Sequence, residues 1–274
     1  MVRRLVYVIV GLILGAPMVV MGAEGFSAWF VDVGQGGATL LHQPGKCAML
    51  VDAGPIGSGT RLNKLFEREG VKRLDYVIIT HPHKDHYGGL KSIARKMPIR
   101  EFSDNGDVNI EERGFEDYSQ LQYDLPYSVI GAGDSWMCGD LAVDVLHPAA
   151  DYDSGKDYNS RSLALNVSYR GFSLLLMGDL AGPGEKQMLR ESPVPLASVI
   201  QLAHHGAEDS TSPELLKRVR PTIAVISVGQ NDIGAPSPEV LGRLAENKVR
   251  AFRTDIEGTI RLLVAENGNF RVTH

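Results

Sequence analysis

The sequence has little of what marks a disulfide scaffold, a disordered chain or an avid nucleic-acid binder. Its 274 residues include two cysteines, Cys47 and Cys138, at a spacing that matches no CxxC metal or redox motif. It has no low-complexity tract, short-period repeat or long run of one charge, which excludes disordered and repeat architectures. The net charge of −5 excludes the basic surface that strong non-specific binding to nucleic acid requires, although it leaves room for a local basic groove.

One long apolar run, Leu5–Met21, lies at the N-terminus, preceded by two arginines and followed by Gly22 and Ala23. This layout predicts a secretory signal peptide over residues 1–23, cleaved near Ala23. An uncleaved membrane anchor is the alternative, because the run approaches the length that spans a bilayer. Both interpretations place the folded part outside the cytoplasm, as a periplasmic or secreted protein. In such an oxidising compartment the two cysteines can pair, and a bridge and two buried thiols both remain open.

Short β-rich runs alternate with helical stretches from Phe26 onward. Strands are predicted at Phe26–Val33, Ala38–His42, Ala48–Val51, Tyr76–Thr80, Leu141–Leu146, Leu163–Tyr169, Phe172–Met177, Val199–Leu202, Ile223–Val228, Thr259–Val264 and Phe270–Thr273. Helices are predicted at Arg61–Arg68, Gly89–Lys96, Gly184–Arg190, Pro213–Val219 and Pro238–Glu246. Between Ile99 and Asp140 the sequence predicts only loops with some helix. Two β-rich halves with no linker predict one α/β domain over residues 24–274, with two sheets sandwiched between outer helices.

The strongest chemical signal is a cluster of four ligand-type side chains within six residues: His81, His83, Asp85 and His86. The cluster directly follows the apolar strand ending at Thr80, so these side chains can converge without long-range folding constraints. Imidazole and carboxylate donors suit zinc, with manganese and iron as alternatives. His81 and His83 can face one ion while Asp85 and His86 face a second, about 3.5–4 Å away, and two such ions can share a bridging hydroxide. The pattern predicts a two-metal hydrolase.

The cluster matches the HxHxDH signature of the metallo-β-lactamase superfamily. The chain resembles more closely the extracytoplasmic hydrolase domain of the ComEC competence family and its free-standing relatives. The other matching segments follow the family's order over nearly the whole mature chain: Phe30–Gly36, Val51–Gly54, Asn159–Ser162, Met177–Asp179, His204–Gly206, Val225–Gly229 and Arg253–Asp255 with Gly258. The resemblance implies a four-layer αββα sandwich that carries a metal-dependent hydrolase site.

The resemblance also assigns roles to residues far from the histidine cluster. An aspartate after a strand is ordinarily a turn or cap residue, but Asp179 matches the carboxylate that bridges both ions in the superfamily. His205 matches the late histidine that completes the coordination of one metal. His204 is then expected either to support the ligands from behind or to face the substrate, and His204 or Asp85 is expected to manage protons. The order of the two late histidines stays open in the sequence, with His205 favoured as the ligand.

The superfamily's third histidine, between the cluster and the bridging aspartate, has no obvious counterpart. Asn159 and Ser162 stand where ComEC relatives place Asn and Ser, against the ligands or the substrate. His147 is the one histidine in this region that could replace it, although a role at a strand end is the simpler interpretation. Asp52 is expected to hydrogen-bond the histidine loop from behind, and Asp32 is expected either in a strained turn or at the wall of the site.

Three positions depart from the family's pattern. Gly37 stands where the first motif usually has Asp, Ala207 replaces a common Ser, and Ala235-Pro236 replaces a common His-Pro. In the family these positions lie near the substrate. Their loss therefore bears on the substrate more than on the metals.

The expected reaction is attack of a metal-activated hydroxide on a phosphodiester, either a small molecule or a nucleic acid. Hydrolysis of another envelope ester, lactone or lactam is the enzymatic alternative, and a metal-stabilised accessory protein with little turnover is the non-enzymatic one. No stable membrane partner is expected beyond an N-terminal anchor. The visible basic residues are Lys91, Arg95, Lys96 and Arg100, for which a solvated helix face is the simpler interpretation and a phosphate track the alternative.

Overall fold

This computed structural model describes residues 24–274, and the predicted signal segment, residues 1–23, lies outside them. The strands are β1 (Glu24–Phe30), β2 (Thr39–Gln43), β3 (Cys47–Val51), β4 (Tyr76–Ile78), β5 (Phe102–Asp104), β6 (Tyr127–Val129), β7 (Ser135–Cys138), β8 (Leu141–His147), β9 (Ala164–Tyr169), β10 (Phe172–Leu176), β11 (Val199–Gln201), β12 (Ile223–Ile226), β13 (Arg250–Arg253), β14 (Ile260–Ala265) and β15 (Phe270–Thr273). The helices are α1 (Ser58–Arg68), α2 (Lys84–Tyr87), α3 (Leu90–Ala94), α4 (Phe115–Asp124), α5 (Gly182–Glu191), α6 (Pro213–Val219), α7 (Pro238–Glu246) and α8 (Thr254–Glu257).

The strands form two mixed sheets. The first has the order β15-β14-β1-β2-β3-β4-β5-β6, and the second has the order β13-β12-β11-β10-β9-β8-β7. In each sheet one part is antiparallel and the other parallel: β3 to β6 run parallel in the first, and β10 to β13 in the second. The C-terminal hairpin returns to pair with β1, so the two sheets do not correspond to the two halves of the sequence.

Three apolar layers hold the sandwich together. Residues such as Phe26, Met49 and Leu174 fill the space between the sheets. Leu62 and Phe66 of α1 belong to a second cluster that covers the outer face of the first sheet. A third cluster joins the second sheet to α5, α6 and α7. Helices outside two facing sheets give the four-layer αββα sandwich that the resemblance implied.

Several short elements between Ile99 and Asp140 were not resolved by the sequence pattern. The structure has three strands and one helix there: β5, β6, β7 and α4. By contrast, the predicted strands on either side of Arg170–Gly171 and of Asn267–Gly268 form hairpins across these tight turns, with Tyr169 opposite Phe172 and Val264 opposite Phe270.

The question of the two cysteines has a definite answer in the structure, which pairs Cys47 with Cys138. Their Cα atoms are 5.3 Å apart, within the range for a disulfide. The bond connects β3 of the first sheet to β7 of the second. Among residues 24–274, no helix is long and apolar enough to cross a bilayer.

Candidate metal centre

The histidine cluster lies at the carboxyl end of the parallel strands of the first sheet. β4 ends at Ile78, and the following loop leads into α2, which His83 immediately precedes. Asp52, at the end of β3, fixes this loop: its Oδ1 accepts a hydrogen bond from the Thr80 N–H at 2.8 Å, and its Oδ2 lies 2.7 Å from His86 Nδ1. Asp52 therefore supports the loop from behind, as the sequence predicted.

Two more donors come from the second sheet. Asp179 follows β10, and its N–H donates to the Ser162 hydroxyl at 3.0 Å. His205 follows β11 in a short 3-10 turn, Ala203–Gly206, and both His204 and His205 have positive φ values, 48° and 56°. This left-handed backbone is costly for residues with a Cβ, and it presents the two neighbouring imidazoles in different directions.

The donors from both sheets meet in a small volume. One ligand atom from each of Asp85, His86, Asp179 and His205 lies within 4.8 Å of all the others. Asp179 Oδ1 is 3.2 Å from His86 Nε2, and Asp179 Oδ2 is 3.5 Å from His205 Nε2. The cluster combines side chains separated by up to 120 residues of sequence. It is complete only because the two sheets face each other.

His81 and His83 lie next to this group. His81 Nε2 is 2.9 Å from His83 Nδ1 and 3.7 Å from Asp179 Oδ2. The same carboxylate oxygen, Asp179 Oδ2, is therefore within 3.7 Å of both His81 Nε2 and His205 Nε2. The expectation that these side chains divide into two ligand sets, one for each of two ions, stays a prediction.

The donor atoms fit divalent cations. Three buried atoms in the cluster have no hydrogen-bond partner among the described residues: His86 Nε2, His205 Nε2 and Asp179 Oδ1. The Ser227 carbonyl accepts from His205 Nδ1 at 2.7 Å, and Asp52 holds His86 Nδ1 as described. Each outer nitrogen therefore carries the proton, and each Nε2 offers its lone pair inward. Buried polar atoms left unpaired are costly, and a metal ion satisfies all three.

The charges in the cluster are unbalanced in the protein alone. Burial, followed by the neighbouring His86, lowers the pKa of His81 well below its usual value. Burial also lowers the pKa of His86, but the carboxylates of Asp179, Asp52 and Asp85 together outweigh it and raise that pKa well above its usual value. For Asp179 burial acts in the opposite direction, yet the His86 and His205 imidazoles hold the pKa of this carboxyl well below its usual range. Carboxylates that stay ionised in a dry site are suited to cation binding.

The two late histidines differ in position. His205 is buried within the cluster, whereas His204 is partly exposed at its edge. His204 Nε2 lies 3.3 Å from Asn159 Nδ2, and His204 Nδ1 lies 3.4 Å from Asp209 Oδ1. Asn159 Oδ1 is buried without a hydrogen-bond partner among the described residues. His204 and Asn159 form a polar edge beside the cluster, and their role towards a substrate stays a prediction.

The other predicted site residues lie behind the ligands or away from them. Ser162 Oγ is 3.4 Å from His81 Nδ1, so it supports both His81 and Asp179. His147 is fully buried, with its Nε2 2.8 Å from the Ser160 carbonyl, and lies outside the cluster. Asp32 accepts from the Gly34 N–H and pairs with Arg61 at 3.4 Å, so it belongs to the turn after β1.

Sequence reasoning did not single out the group that orients His205. The acceptor is a backbone carbonyl, that of Ser227, which has no residue-type signature. Thr254 fixes this segment, because its Oγ1 accepts from the Val228 N–H at 2.8 Å and donates to the Val228 carbonyl at 2.9 Å. The segments that contain these residues matched the family pattern, and that order was the one available signal.

Comparison with known proteins agrees with the fold. The model of the Metallo-beta-lactamase superfamily matches residues 31–230, so the chain belongs to this superfamily and is a metallo-β-lactamase-fold hydrolase with a candidate metal-binding cluster of histidine and aspartate residues. The crystal structure of the metallo-beta-lactamase fold protein YhfI from Bacillus subtilis covers 89% of this chain and 99% of its own, with a TM-score of 0.54 and 13% identity. That likeness concerns the fold.

Two curated relatives are more similar in sequence. The chain is 28% identical over 258 residues to ComE operon protein 3 of Bacillus subtilis, covering 84% of this chain and 32% of that protein. It is 31% identical over 239 residues to Recombination protein 2 of Haemophilus influenzae, covering 85% of this chain and 28% of that protein. The chain spans about a third of the length of these relatives.

Proposed function

We propose that the protein is a phosphodiesterase that uses two divalent ions, zinc first with manganese or iron as alternatives, and that its substrates include nucleic acid. One observation carries this proposal. The carboxylate of Asp179 is within reach of three imidazoles: its Oδ2 is 3.7 Å from His81 Nε2 and 3.5 Å from His205 Nε2, and its Oδ1 is 3.2 Å from His86 Nε2. A carboxylate within reach of several imidazoles can bridge paired ions, and paired ions suit phosphodiester hydrolysis.

The division of ligands follows from these distances. His81 and His83 would hold one ion, Asp85, His86 and His205 would hold the other, and Asp179 would contact both. Bound there, the ions would lower the pKa of water and neutralise charge that develops on the phosphate oxygens. In the hydrolysis, water oxygen bonds to phosphorus, the ester P–O bond breaks, and the leaving oxygen takes up a proton.

His204 is our proposed proton-handling residue. It lies at the solvent edge of the cluster, with its Nδ1 towards Asp209 and its Nε2 towards Asn159. An imidazole at this solvent edge can exchange a proton with the leaving oxygen, while Asp209 orients the ring through Nδ1. Asp85, the half-exposed carboxylate of the cluster, is the second group expected to take part in proton transfer.

Export from the cytoplasm belongs to the same proposal. The apolar N-terminal run is typical of a signal peptide or anchor, and the disulfide between Cys47 and Cys138 is favoured in an oxidising compartment. One relative is named a competence protein and another a recombination protein. These names support an envelope location and a nucleic-acid substrate.

The test couples metal analysis of the purified protein to three assays: bis(4-nitrophenyl) phosphate, a single-stranded oligonucleotide and a chromogenic lactam. We expect about two ions per chain and turnover of both phosphodiesters, because a pair of ions is suited to this bond. Turnover of the lactam with none of the phosphodiesters would contradict the proposal and favour the alternative hydrolase. Metal binding without turnover of any substrate would favour the accessory protein.

Variants locate the activity. His83→Ala and Asp85→Asn should each lower phosphodiester kcat/KM by more than about a hundredfold, since the metal contributes several kcal/mol. His274→Ala, an exposed histidine at the C-terminus, is the matched control and should keep full activity. Full activity of His83→Ala after chelation and metal repletion would show that the site is wrongly assigned.

A further inference from the structure

A line of basic side chains leads away from the metal cluster along the helical stretch that follows it. α2 and α3 are joined by Gly88 and Gly89, whose backbone stays right-handed helical. Lys84, Lys91 and Arg95 are spaced by seven and then four residues, which places them on one face of such a stretch. Because Lys84 directly precedes a cluster carboxylate, the line begins beside the metal centre and runs outward.

The line ends at a cavity between the start of α1, α3 and α4. The cavity measures about 210 Å³, and its lining includes Lys91, Arg95, Tyr87, Ile56 and Leu121. The Tyr87 hydroxyl is buried and has no hydrogen-bond partner within the described chain. Pockets that enclose a whole small ligand measure about 300–1,000 Å³. This cavity therefore suits one unit of a longer molecule that continues outside it.

The basic groups are available to a ligand. Lys84 and Lys91 are 59% and 42% exposed and pair with Glu112 at 3.2 Å and Asp117 at 2.6 Å. Exposed ion pairs of this kind contribute little and exchange readily with solvent. Arg95 is exposed and makes no ion pair with any described residue. Successive phosphates of one strand can thus replace the acidic partners of Lys84 and Lys91 and pair with the free guanidinium of Arg95.

We propose that Lys84, Lys91 and Arg95 bind the phosphate backbone of a single nucleic-acid strand whose scissile bond lies at the metal centre. The proposal rests on the phosphodiesterase activity proposed above and names its substrate as a polymer. Three cations in line match a backbone with one negative charge per nucleotide. The cavity receives one unstacked nucleotide, with Ile56 and Leu121 against the base and Lys91 and Arg95 at the phosphate, which a stacked duplex cannot supply.

The four basic residues singled out in the sequence differ in their position relative to the cavity. Lys91 and Arg95 line the cavity, whereas Lys96 and Arg100 do not. A substitution at Asp117 tests the proposal in the opposite sense. Removing this carboxylate should free Lys91 for the strand and strengthen binding.

The experiment compares two double variants that remove the same charge from different faces of the metal-loaded protein. Lys91→Ala/Arg95→Ala removes the line, and Lys217→Ala/Arg218→Ala removes two exposed cations of α6. Binding of a fluorescein-labelled single-stranded 12-mer is measured by anisotropy over a range of salt concentrations. The line variant should bind about tenfold more weakly, and the slope of log affinity against log salt should fall by about 1.4, the value for two lost phosphate contacts. The α6 variant should match the wild type.

Kinetics separate this proposal from the one on which it rests. In the line variant the ratio of kcat/KM for the oligonucleotide to that for bis(4-nitrophenyl) phosphate should fall about tenfold. Asp117→Asn should raise oligonucleotide affinity. Equal losses in the two double variants, or a wild type that binds no oligonucleotide, would overturn the strand track. Oligonucleotide binding that depends on Lys91 and Arg95 but comes without hydrolysis of either phosphodiester would support the track and overturn the proposed reaction.

Discussion

At the scale of single residues, the glycines after β1 control how closely the first motif approaches the histidine loop. A Cβ at Gly36 would lie 2.3 Å from the Asp85 carbonyl oxygen, and the φ of Gly36 is +138°. A Cβ at Gly37 would lie 3.1 Å from His86 Nδ1 and from Asp52 Oδ2. The absence of a side chain at Gly37 therefore lets the backbone pack closely against the His86 imidazole.

Gly36→Ala should be the more damaging of the two substitutions. It needs both a strained φ and a shift of the Asp85 backbone, so we expect a loss of about 1–3 kcal/mol in unfolding free energy together with reduced metal content. Gly37→Ala should affect metal content more than stability. Gly242→Ala in α7, where a Cβ meets nothing within 4 Å, should be neutral or stabilising. Urea unfolding and metal analysis of the three variants check the order, and a Gly36→Ala protein as stable and metal-loaded as Gly242→Ala would contradict it.

His147 gives a pH dependence that can be assigned to one residue. Burial lowers its pKa to about 4, whereas the unfolded chain titrates near 6.5. Between these values the unfolded state binds more protons, so the stability contributed by neutral His147 is complete above pH 6.5 and is lost as the pH falls towards 4. The loss should reach about 3 kcal/mol at pH 4.

The variant His147→Gln keeps a donor for the Ser160 carbonyl and cannot titrate. Unfolding free energies of the two proteins at pH 7, 6, 5 and 4 should therefore diverge, with the wild type losing more. Parallel curves would show that His147 is protonated equally in both states.

How well each site residue could be predicted depends on how close it lies in sequence to the other ligands. His81, His83, Asp85 and His86 occupy one loop, so their spacing alone indicated a metal site. Asp179 and His205 are common residue types in short turns, and only their order in the family pattern assigned them. The Ser227 carbonyl could not be found, because every residue has such a group.

At the scale of elements, α8 is linked to the candidate metal cluster by hydrogen bonds between the Thr254 side chain, the neighbouring backbone and His205. Thr254 holds Val228, and the adjacent Ser227 carbonyl accepts from His205 Nδ1. Thr254→Val keeps the shape but removes these hydrogen bonds, and it should lower metal affinity about 10–100-fold, the usual effect of losing a group that orients a ligand. Thr254→Ser keeps the hydroxyl and should restore affinity. Competition with a chelator measures both, and equal affinities in the Val and Ser variants would remove Thr254 from this role.

Most of the elements that the sequence failed to indicate are short, although α4 has ten residues and the three-residue strands β4 and β11 were indicated because they lie within longer apolar runs. β5 and β6 have three residues each, too few to show an alternating pattern. β5 is buried throughout, so it has no polar face to mark its period. Long buried strands such as β8 and β9, and hairpins with a glycine in the turn, carried enough signal to be predicted.

At the scale of the whole molecule, the candidate metal centre is formed by loops from both sheets. The histidine loop follows β4 of the first sheet, whereas Asp179 and His205 follow β10 and β11 of the second. A buried polar chain crosses between the sheets nearby, from Thr39 Oγ1 to Gln201 Oε1 at 3.3 Å and from Gln201 Nε2 to Ser227 Oγ at 3.1 Å. The division of strands could not be deduced from the two halves of the sequence, because β14 and β15 come from the second half but belong to the first sheet, where β14 pairs with β1.

The disulfide and the ions should act as two independent connections between the sheets. Cys47 begins β3 and Asp52 follows its end, so about 13 Å of strand separates the bond from the metal centre. The bond closes a loop across 91 positions of sequence, and Cys47→Ala/Cys138→Ala should lower the unfolding free energy by about 2–4 kcal/mol. Metal at about a thousand times its dissociation constant should add about 4 kcal/mol.

Because sites this far apart rarely share partners, the two losses should add to within about 0.5 kcal/mol. Urea unfolding of wild type and double variant, each with metal and with chelator, gives the four values needed. The variant should also keep wild-type phosphodiesterase kcat/KM when metal is saturating, since the bond lies at the far end of β3. A metal contribution that disappears with the disulfide would mean that the bond itself sets the spacing of the two sheets at the cluster.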